Sequence, residues 1–321
     1  MNNRWIGIPS GLKDELGQET ARLGGIGRRV ISALAASGFT QIQTPVLEYY
    51  DLFIHAGLPL PQEAILKTED RAGRMCVMRP DSTIPAARVA ATKLRGDERP
   101  LKLSYEQPVF RVQPDGKIAK YAQAGIEYIG AGGSDTDIEV LRLLLGTLRG
   151  IGLETLHLEI GHAGLIRAFL PELGLSEDSQ ADLLHAFERR NFAVVGDILA
   201  QCGSREEAEG LYNLVMLSGA GDCGGGTKPI QNARARRILD ELNALIRALS
   251  GEDAALDCAM VSRMDYYTGL IFRVYAPGAS REIAVGGRYD ALMEKFGQAE
   301  PAIGFVLDID ALSGLEAVCH E

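Results

Sequence analysis

The sequence predicts an α+β protein whose core is an antiparallel sheet flanked by helices. Short apolar runs are joined by hairpin-like turns, of which Pro114-Asp115-Gly116 is the clearest because proline fixes φ and glycine leaves it free. Helical periodicity is grouped within 164–250 and does not alternate with strands. With 321 residues, 46% of them hydrophobic, the chain can bury a large core without disulfide or metal staples.

The N-terminal half contains both helix and strand signals. Apolar residues at helical spacing predict a helix over about 14–37, which Gly38 closes. A strand over 39–46 is expected to end or bend at Pro45. The other elements of this half are three strands and two helices, predicted at Met75–Met78, 84–93, 101–113, Ile118–Ile129 and 136–148.

In the second half, a predicted strand over 156–160 precedes an almost continuous stretch of helix formers. That stretch, 164–250, predicts an inserted helical subdomain, so the core is expected to comprise residues 1–163 and 251–321. The remaining elements are four strands and one helix, predicted at 259–261, Leu270–Tyr275, 281–285, 289–296 and 302–307.

Composition disfavours several classes of function. The net charge is −10 and no cluster of Lys and Arg is present, which argues against binding to a nucleic acid. No apolar run approaches the ~20 residues that span a bilayer, and the N-terminus lacks the pattern of a signal peptide. Five scattered cysteines without C-x-x-C spacing indicate reduced thiols. We therefore expect a cytoplasmic protein with no membrane or nucleic-acid partner.

Two features that could suggest cofactor chemistry have simpler structural interpretations. The glycine-rich run 221–226 lacks the spacing of a phosphate loop and a preceding strand, so a turn is favoured. His157 and His162 are five residues apart, with only Glu159 close to zinc-ligand spacing. We expect no metal and no cofactor.

Several short segments, each weak alone, are informative because of their order along the chain. A single strand arginine is usually half exposed, and Gly286-Gly287 alone indicates only a tight turn. The segments are Arg79-Pro80-Asp81-Ser82-Thr83, Val109-Phe110-Arg111, Gln123-Ala124-Gly125-Ile126-Glu127, Asp265-Tyr266-Tyr267-Thr268-Gly269 and Gly286-Gly287-Arg288-Tyr289-Asp290.

Together these segments resemble histidyl-tRNA synthetase, a class II aminoacyl-tRNA synthetase, over about residues 5–312. Residues 38–48 resemble the first class motif, which builds the dimer interface. Residues 109–127 resemble the second motif, and 264–269 the histidine-specific signature. The segments 286–290 and 302–305 resemble the approach to the third motif. The resemblance implies the class II fold, an antiparallel sheet flanked by helices with a helical insertion.

The resemblance also implies a pocket for free histidine. By match to the family, the binding residues are Asp81, Thr83 and Gln123 for the α-ammonium, Arg111 for the carboxylate, Glu127 and Tyr267 for the imidazole, and the neighbouring Tyr266. This set suits the ligand, because histidine carries both charges and two ring nitrogens.

Strand geometry constrains this pocket. Asp81 and Thr83 are two apart and Gln123 and Glu127 four apart, so each pair is expected to share a strand face. For Arg111 to share that face, the loop between the two strands must contain an odd number of residues, because cross-strand partners point the same way. A two-residue hairpin would send Arg111 to the opposite face.

Several positions depart from the synthetase pattern where ATP is handled. By alignment, Ser262, Gln113, Ala119 and Ala311 replace three arginines and one acid, and Arg263 lies one place after the expected arginine. One preorganised donor at a developing charge contributes about 100- to 1000-fold in rate, so these losses predict no adenylate chemistry. No anticodon-binding domain is expected after Ala311 either.

An amino-acid pocket without ATP machinery resembles the regulatory subunits of ATP phosphoribosyltransferase, and so does Asp81 where synthetases usually carry Glu. This family implies a homodimer through the first class motif, bound to a short-form catalytic subunit of histidine biosynthesis. The catalytic activity would belong to the complex, with activation and histidine feedback supplied by this chain. The helical insertion and the first-motif edge are both candidates for docking that partner.

Two alternatives stay open. The chain could form an aminoacyl-adenylate for an acceptor other than tRNA, or it could be a scaffold whose pocket binds nothing.

Overall fold

The computed structural model describes residues 6–58, 60–216, 230–262, 266–315 and 318. The strands are β1 (Thr40–Gln41), β2 (Leu47–Tyr49), β3 (Lys67–Glu69), β4 (Met75–Met78), β5 (Leu101–Val112), β6 (Ile118–Ile129), β7 (His157–His162), β8 (Ala254–Leu256), β9 (Leu270–Tyr275), β10 (Ala284–Arg288) and β11 (Ala302–Asp308). The helices are α1 (Gln18–Ala36), α2 (Tyr50–Ala56), α3 (Thr83–Thr92), α4 (Ser134–Gly150), α5 (Leu165–Phe169), α6 (Glu177–Glu188), α7 (Phe192–Leu199), α8 (Arg205–Met216), α9 (Ala233–Ala248), α10 (Asp290–Glu294) and α11 (Ile309–Ser313).

Eight strands form one sheet in the order β1-β5-β6-β11-β10-β9-β7-β8. The six inner strands pair antiparallel, whereas β1 and β8 pair parallel to their neighbours. The predicted α+β class with an antiparallel sheet is confirmed for the six inner strands, and the two parallel edge pairs are an addition to it. Each parallel pair is joined by a long connection containing helices, which is what a parallel crossover requires. A second, three-stranded sheet has the order β2-β4-β3.

Helices cover one face of the large sheet. A cross-strand row of Ile126, Phe305, Gly286, Phe272 and Ile160 runs across five strands on this face, and its large members are buried together with apolar residues of α1 and α4. The glycine in this row is required, because a Cβ there would lie 2.5 Å from the ring of Phe272. The opposite face, which carries Glu127, is therefore left for the pocket.

Among the described residues between β7 and β8 are the α-helices α5 to α9. Their buried side chains belong to the same hydrophobic cluster as those of α1 and α4. The division into a core and an insertion at 164–250 stays a prediction. The glycine-rich run at 221–226 lies outside the described residues.

Three predicted strands differ in the structure. The run 39–46 forms only β1, and the chain bends through Pro45 before β2. The strand expected at 259–261 is wrong, because Asp257 Oδ1 accepts the amide N–H of Ala259 (3.0 Å) and closes a turn there. The strand expected at 281–285 begins three residues later, as β10. None of the described helices combines the length and the apolar character needed to cross a bilayer.

Candidate ligand-binding site

The hairpin of β5 and β6 positions much of the predicted pocket. Its loop is 113–117, an odd number of residues, and Arg111 pairs with Ala119 while Gln107 pairs with Gln123. Arg111 and Gln123 therefore lie on the same face as Glu127. The odd loop that this arrangement requires is therefore present, whereas the predicted strand bounds, 101–113 and 118–129, would have left a four-residue loop; β5 ends one residue earlier than expected.

Glu127 is the most enclosed acid of this face, with 1% of its surface exposed. The hydroxyl of Tyr105 donates to its Oε1 (3.1 Å), and the hydroxyl of Tyr289 donates to its Oε2. Burial raises the pKa of Glu127 to about 8, against the opposing effect of hydrogen bonds from these hydroxyls and that of Thr83. Without a ligand Glu127 therefore keeps its proton below about pH 8, and a ligand that donates a hydrogen bond or carries a positive charge would stabilise its ionised form.

Asp81 and Thr83 reach the same region by a different route from the one predicted. Thr83 is the first residue of α3, so the expectation that this pair shares a strand face is wrong. Asp81 Oδ1 accepts the amide N–H of Ile84 (2.8 Å), which satisfies one of the free donors at the start of that helix. Burial raises the pKa of Asp81, and the nearby charge of Arg111 opposes this.

Two tyrosines of the segment that resembles the histidine-specific signature complete the enclosed part of the pocket. The hydroxyl of Tyr266 donates to Asp81 Oδ2 (3.3 Å), and its ring centroid lies 5.0 Å from that of Tyr267 and 5.9 Å from that of Tyr289. Burial also raises the pKa of Tyr267, so its hydroxyl keeps its proton. Residues 263–265, including Arg263 and Asp265, lie outside the described residues.

Gly287 provides the space for one of these rings. A Cβ at this position would lie 2.8 Å from Tyr267 Cδ1 and 2.6 Å from the carbonyl oxygen of Leu270. The glycine pair that alone indicated a turn is therefore within β10, and its second member lies under the Tyr267 ring.

Arg111 and Gln123 are on the correct face but less enclosed. Arg111 Nε donates to the carbonyl oxygen of Pro80 (3.0 Å), and its guanidinium lies 5.7 Å from the ring centroid of Tyr121. Gln123 lies between Gln107 and Asp308 in the cross-strand register. Among the described residues, its side chain makes no hydrogen bond to the other six predicted pocket residues.

Tyr105 and Tyr289 were not predicted as site residues. Tyr105 lies on β5 with the same parity as Arg111, and Tyr289 belongs to the segment 286–290. Strand parity could have identified Tyr105. Nothing local indicates that Tyr289, which follows the end of β10, turns towards Glu127.

The positions that depart from the synthetase pattern have other local roles. Gln113 Nε2 donates to the hydroxyl of Tyr121 (2.7 Å), and the amide N–H of Ala311 donates to Asp308 Oδ1 (2.8 Å) at the start of α11. Ala119 is the cross-strand partner of Arg111. Arg281, the other cation near Tyr121, forms an ion pair with Asp308 (2.5 Å).

His157 and His162 lie outside this site and have structural partners. His157 Nδ1 lies 3.1 Å from Asp253 Oδ2, and His162 Nδ1 accepts the amide N–H of Gly164 (3.0 Å). Burial lowers the pKa of His162 to about 4, and the charge of Arg234 adds to this. The described part of the chain has no group of three or more His, Cys, Asp or Glu side chains placed to hold a metal.

Comparison with known proteins places this architecture in a family. The family model described as histidyl-tRNA synthetase matches residues 11–312. A protein of Clostridium kluyveri named ATP phosphoribosyltransferase regulatory subunit is 35% identical, over 95% of this chain and 81% of its own length. A Bacillus subtilis protein of the same name is 34% identical, over 95% and 80%.

Comparison with solved structures supports the same assignment. An ATP phosphoribosyltransferase regulatory subunit/histidyl-tRNA synthetase from Bacillus halodurans C has a TM-score of 0.86 at 30% identity, over 98% of this chain and 83% of its own. Histidyl-tRNA synthetase from Nostoc sp. PCC 7120, at 19% identity, supports the fold alone, with a TM-score of 0.77 over 96% and 74%. The chain therefore belongs to the family of ATP phosphoribosyltransferase regulatory subunits, which has the fold of histidyl-tRNA synthetase.

Proposed function

We propose that the chain is a non-catalytic regulatory subunit that binds free histidine in the pocket around Glu127. It would act on a short-form ATP phosphoribosyltransferase catalytic subunit, at the first step of histidine biosynthesis. That partner would require it for activity and would be inhibited through it when histidine binds. The names of the relatives support the partner, and the chemistry of the pocket supports the ligand.

The observation that carries the proposal is the environment of Glu127. Both of its carboxyl oxygens accept tyrosine hydroxyls, and Arg111 projects from the same sheet face. A buried carboxyl is unfavourable in its charged form unless a donor or a cation compensates. Histidine supplies a ring N–H or an imidazolium for Glu127 and a carboxylate for Arg111, so it matches both ends of the pocket.

A regulatory role is also supported by what replaces the ATP-binding cations. Ser262, Ala119 and Ala311 offer no positive charge to a triphosphate. Arg281 is already paired with Asp308. An adenylate-forming reaction would need several such charges at once.

We also propose that the chain forms a homodimer through β2, the strand of the first-motif region. Val46, Leu47 and Tyr49 are 43%, 49% and 41% exposed, and we call these three residues the β2 surface. β2 is an edge strand of the three-stranded sheet. A second copy related by a two-fold axis offers the same apolar side chains and an antiparallel edge, as an isologous contact requires.

Titration calorimetry with histidine, run beside an ATP–pyrophosphate exchange assay, tests the function. The proposal expects histidine binding by the wild type, weaker binding by Glu127→Ala and Arg111→Ala, and no histidine-dependent exchange. Exchange activity would support an adenylate-forming enzyme. Activation of the catalytic subunit without any histidine binding would support a scaffold.

A further inference from the structure

A layer of polar side chains, all buried except the partly buried Arg88, lies between the β2 surface and the pocket. We call it the polar layer; its members are Thr44, Glu48, Arg79, Ser82, Arg88 and Gln107. Arg79 is its centre and is 1% exposed. Within the described residues, its guanidinium hydrogen-bonds to no carboxylate.

The guanidinium of Arg79 is held by backbone carbonyls from two separate segments. Nη1 donates to the carbonyl oxygens of Thr44 (2.7 Å) and Pro45 (3.0 Å), and Nε donates to that of Pro108 (2.8 Å). The first two belong to the bend before β2, and the third belongs to β5. One side chain therefore fixes the approach to the β2 surface against the strand that carries Arg111.

The backbone of Arg79 repeats this connection. Its amide N–H donates to the carbonyl oxygen of Val46 (2.9 Å), a residue of the β2 surface, and its carbonyl oxygen accepts the amide N–H of Phe110 (3.0 Å). The next residue, Pro80, is the one whose carbonyl oxygen holds Arg111. Asp81 follows, so Arg79 is two residues from a predicted ligand of the α-ammonium group.

A second link runs from β2 to α3. Glu48 lies between Leu47 and Tyr49 but points inward, and its Oε1 accepts a hydrogen bond from Arg88 Nη2 (2.6 Å). Arg88 belongs to α3, whose first residue is Thr83. The alternation of β2 thus exposes two apolar side chains on one side and ties the strand to the pocket helix on the other.

The polar layer is not fully satisfied. Within the described part of the chain, Ser82 Oγ, Arg88 Nε and Gln107 Nε2 are buried and have no hydrogen-bond partner. An unpaired buried polar atom is unfavourable, so a small shift that gives these atoms partners would be stabilised. A ligand in the pocket on one side, or a second copy of the chain on the β2 surface on the other, would therefore shift these side chains.

We propose that Arg79 is a positioning residue for the histidine pocket, and that the polar layer couples this pocket to self-association of the chain through the β2 surface. This rests on the proposed function, since it assumes that the pocket binds histidine. Coupling of this kind is reciprocal: histidine strengthens the dimer by the same factor by which dimerisation strengthens histidine binding.

Sedimentation of the full chain with and without histidine measures the coupling. We expect histidine to lower the dimer dissociation constant of the wild type by roughly 5- to 150-fold. Arg79→Lys keeps the charge but loses the planar fork that reaches several carbonyls at once. In this variant we expect histidine affinity to fall about tenfold, consistent with the loss of charge-assisted hydrogen bonds, and the linkage to disappear.

Arg99→Lys is the matched control. Arg99 also donates to two backbone carbonyls, those of Leu94 (3.0 Å) and Asp97 (2.9 Å), but it lies outside the polar layer and pairs with Glu300. We expect this variant to keep both the histidine affinity and the linkage of the wild type. An Arg79→Lys protein that matched the control would overturn the proposal.

Leu47→Asp provides a test that does not depend on the folding of the Arg79 variant. This exposed substitution should prevent self-association without entering the pocket, and histidine affinity should fall by the factor measured as linkage. A monomeric Leu47→Asp protein that binds histidine like the wild-type dimer refutes the coupling, as does a wild type that never dimerises. No histidine binding by the wild type would instead refute the proposed function itself.

Discussion

Gly304 and Glu127 are direct cross-strand partners, and the carboxyl of Glu127 occupies the space that a side chain at Gly304 would fill. The absence of a Cβ on β11 is thus what allows an acid to lie flat on the sheet within reach of Tyr105 and Tyr289. Gly287, the cross-strand neighbour of Gly304 on β10, makes the same allowance for Tyr267. The two glycines therefore form part of the pocket floor, because each leaves space for a pocket side chain.

Gly304→Ala should abolish histidine binding, because the added methyl group collides with Glu127 Oε2 and displaces the carboxyl from its tyrosines. Overpacking of this kind costs about 1–3 kcal/mol in the free energy of unfolding. Calorimetry and urea denaturation would measure the two effects. The matched control is Gly25→Ala in α1, where a Cβ meets nothing within 4 Å and alanine favours the helix by roughly 1 kcal/mol. Normal histidine binding by Gly304→Ala would show that Glu127 does not contact the ligand.

The raised pKa of Glu127 predicts how stability depends on pH without ligand. Its pKa is about 8 in the folded chain and near the ordinary value of 4.5 when unfolded. Between these values the folded state holds a proton that the unfolded state has released, so this contribution to stability is full below pH 4.5 and is lost as pH rises towards 8. Glu127→Gln cannot lose a proton and should lack this decline.

Urea denaturation at pH 5 and pH 8 checks this expectation. From pH 5 to pH 8 the free energy of unfolding of the wild type should fall, relative to that of Glu127→Gln, by on the order of a few kcal/mol, since each unit of pKa shift corresponds to about 1.4 kcal/mol. Glu63→Gln, on an exposed turn, is the control and should follow the wild type. Parallel pH profiles for wild type and Glu127→Gln would mean that Glu127 ionises normally.

Arg111 should determine whether the pocket distinguishes histidine from histidinol, which lacks the carboxylate. A charge-assisted hydrogen bond contributes about 1.5–3 kcal/mol, so the wild type should prefer histidine by roughly 10- to 150-fold. Arg111→Ala should bind the two ligands about equally, while Arg205→Ala, an exposed arginine on α8, should keep the preference. If all three proteins discriminate equally between the two ligands, the carboxylate of histidine does not bind at Arg111.

Local sequence signals located the β5–β6 hairpin but not the length of its loop. The predicted strand bounds left four residues around the Pro-Asp-Gly turn, whereas the structure has five because β5 ends at Val112. This odd length places Arg111, Gln123 and Glu127 on one face. These relationships depend only on strand alternation, which acts over neighbouring residues. The element boundaries near Asp257 and Pro45 were less predictable, because a turn closed by a side chain or a bend overrides β-propensity.

What the sequence could not provide is contact between distant segments. The hydroxyl of Tyr289 binds Glu127, which is 162 positions away in the sequence, and the side chain of Arg79 binds the carbonyl oxygen of Pro108 on β5. Arg79 also illustrates a second limit. Its place in the Arg79–Thr83 segment suggested a ligand-binding region, whereas its side chain, among the residues described, hydrogen-bonds to backbone carbonyls and to the hydroxyl of Thr44. Such roles follow from packing, which local periodicity does not encode.

Tyr289→Phe isolates the hydrogen bond to Glu127 from the packing of the ring. The phenyl ring should keep its edge contact with Tyr266, but the donor that stabilises the Glu127 carboxylate is removed. Because that bond lowers the pKa of Glu127, its loss should raise this pKa above about 8. We expect histidine affinity at pH 7 to fall about tenfold, the usual effect of losing one hydrogen bond to a charged group.

Calorimetry from pH 6 to pH 9 separates this effect from a general disturbance of the pocket. If the carboxylate is the binding form, histidine affinity should rise with pH in both proteins, with a midpoint at higher pH in Tyr289→Phe. Tyr212→Phe, on α8 and 37% exposed, should behave like the wild type. A loss of affinity with an unchanged midpoint would assign Tyr289 a packing role, because only the hydroxyl bond links this residue to the ionisation of Glu127.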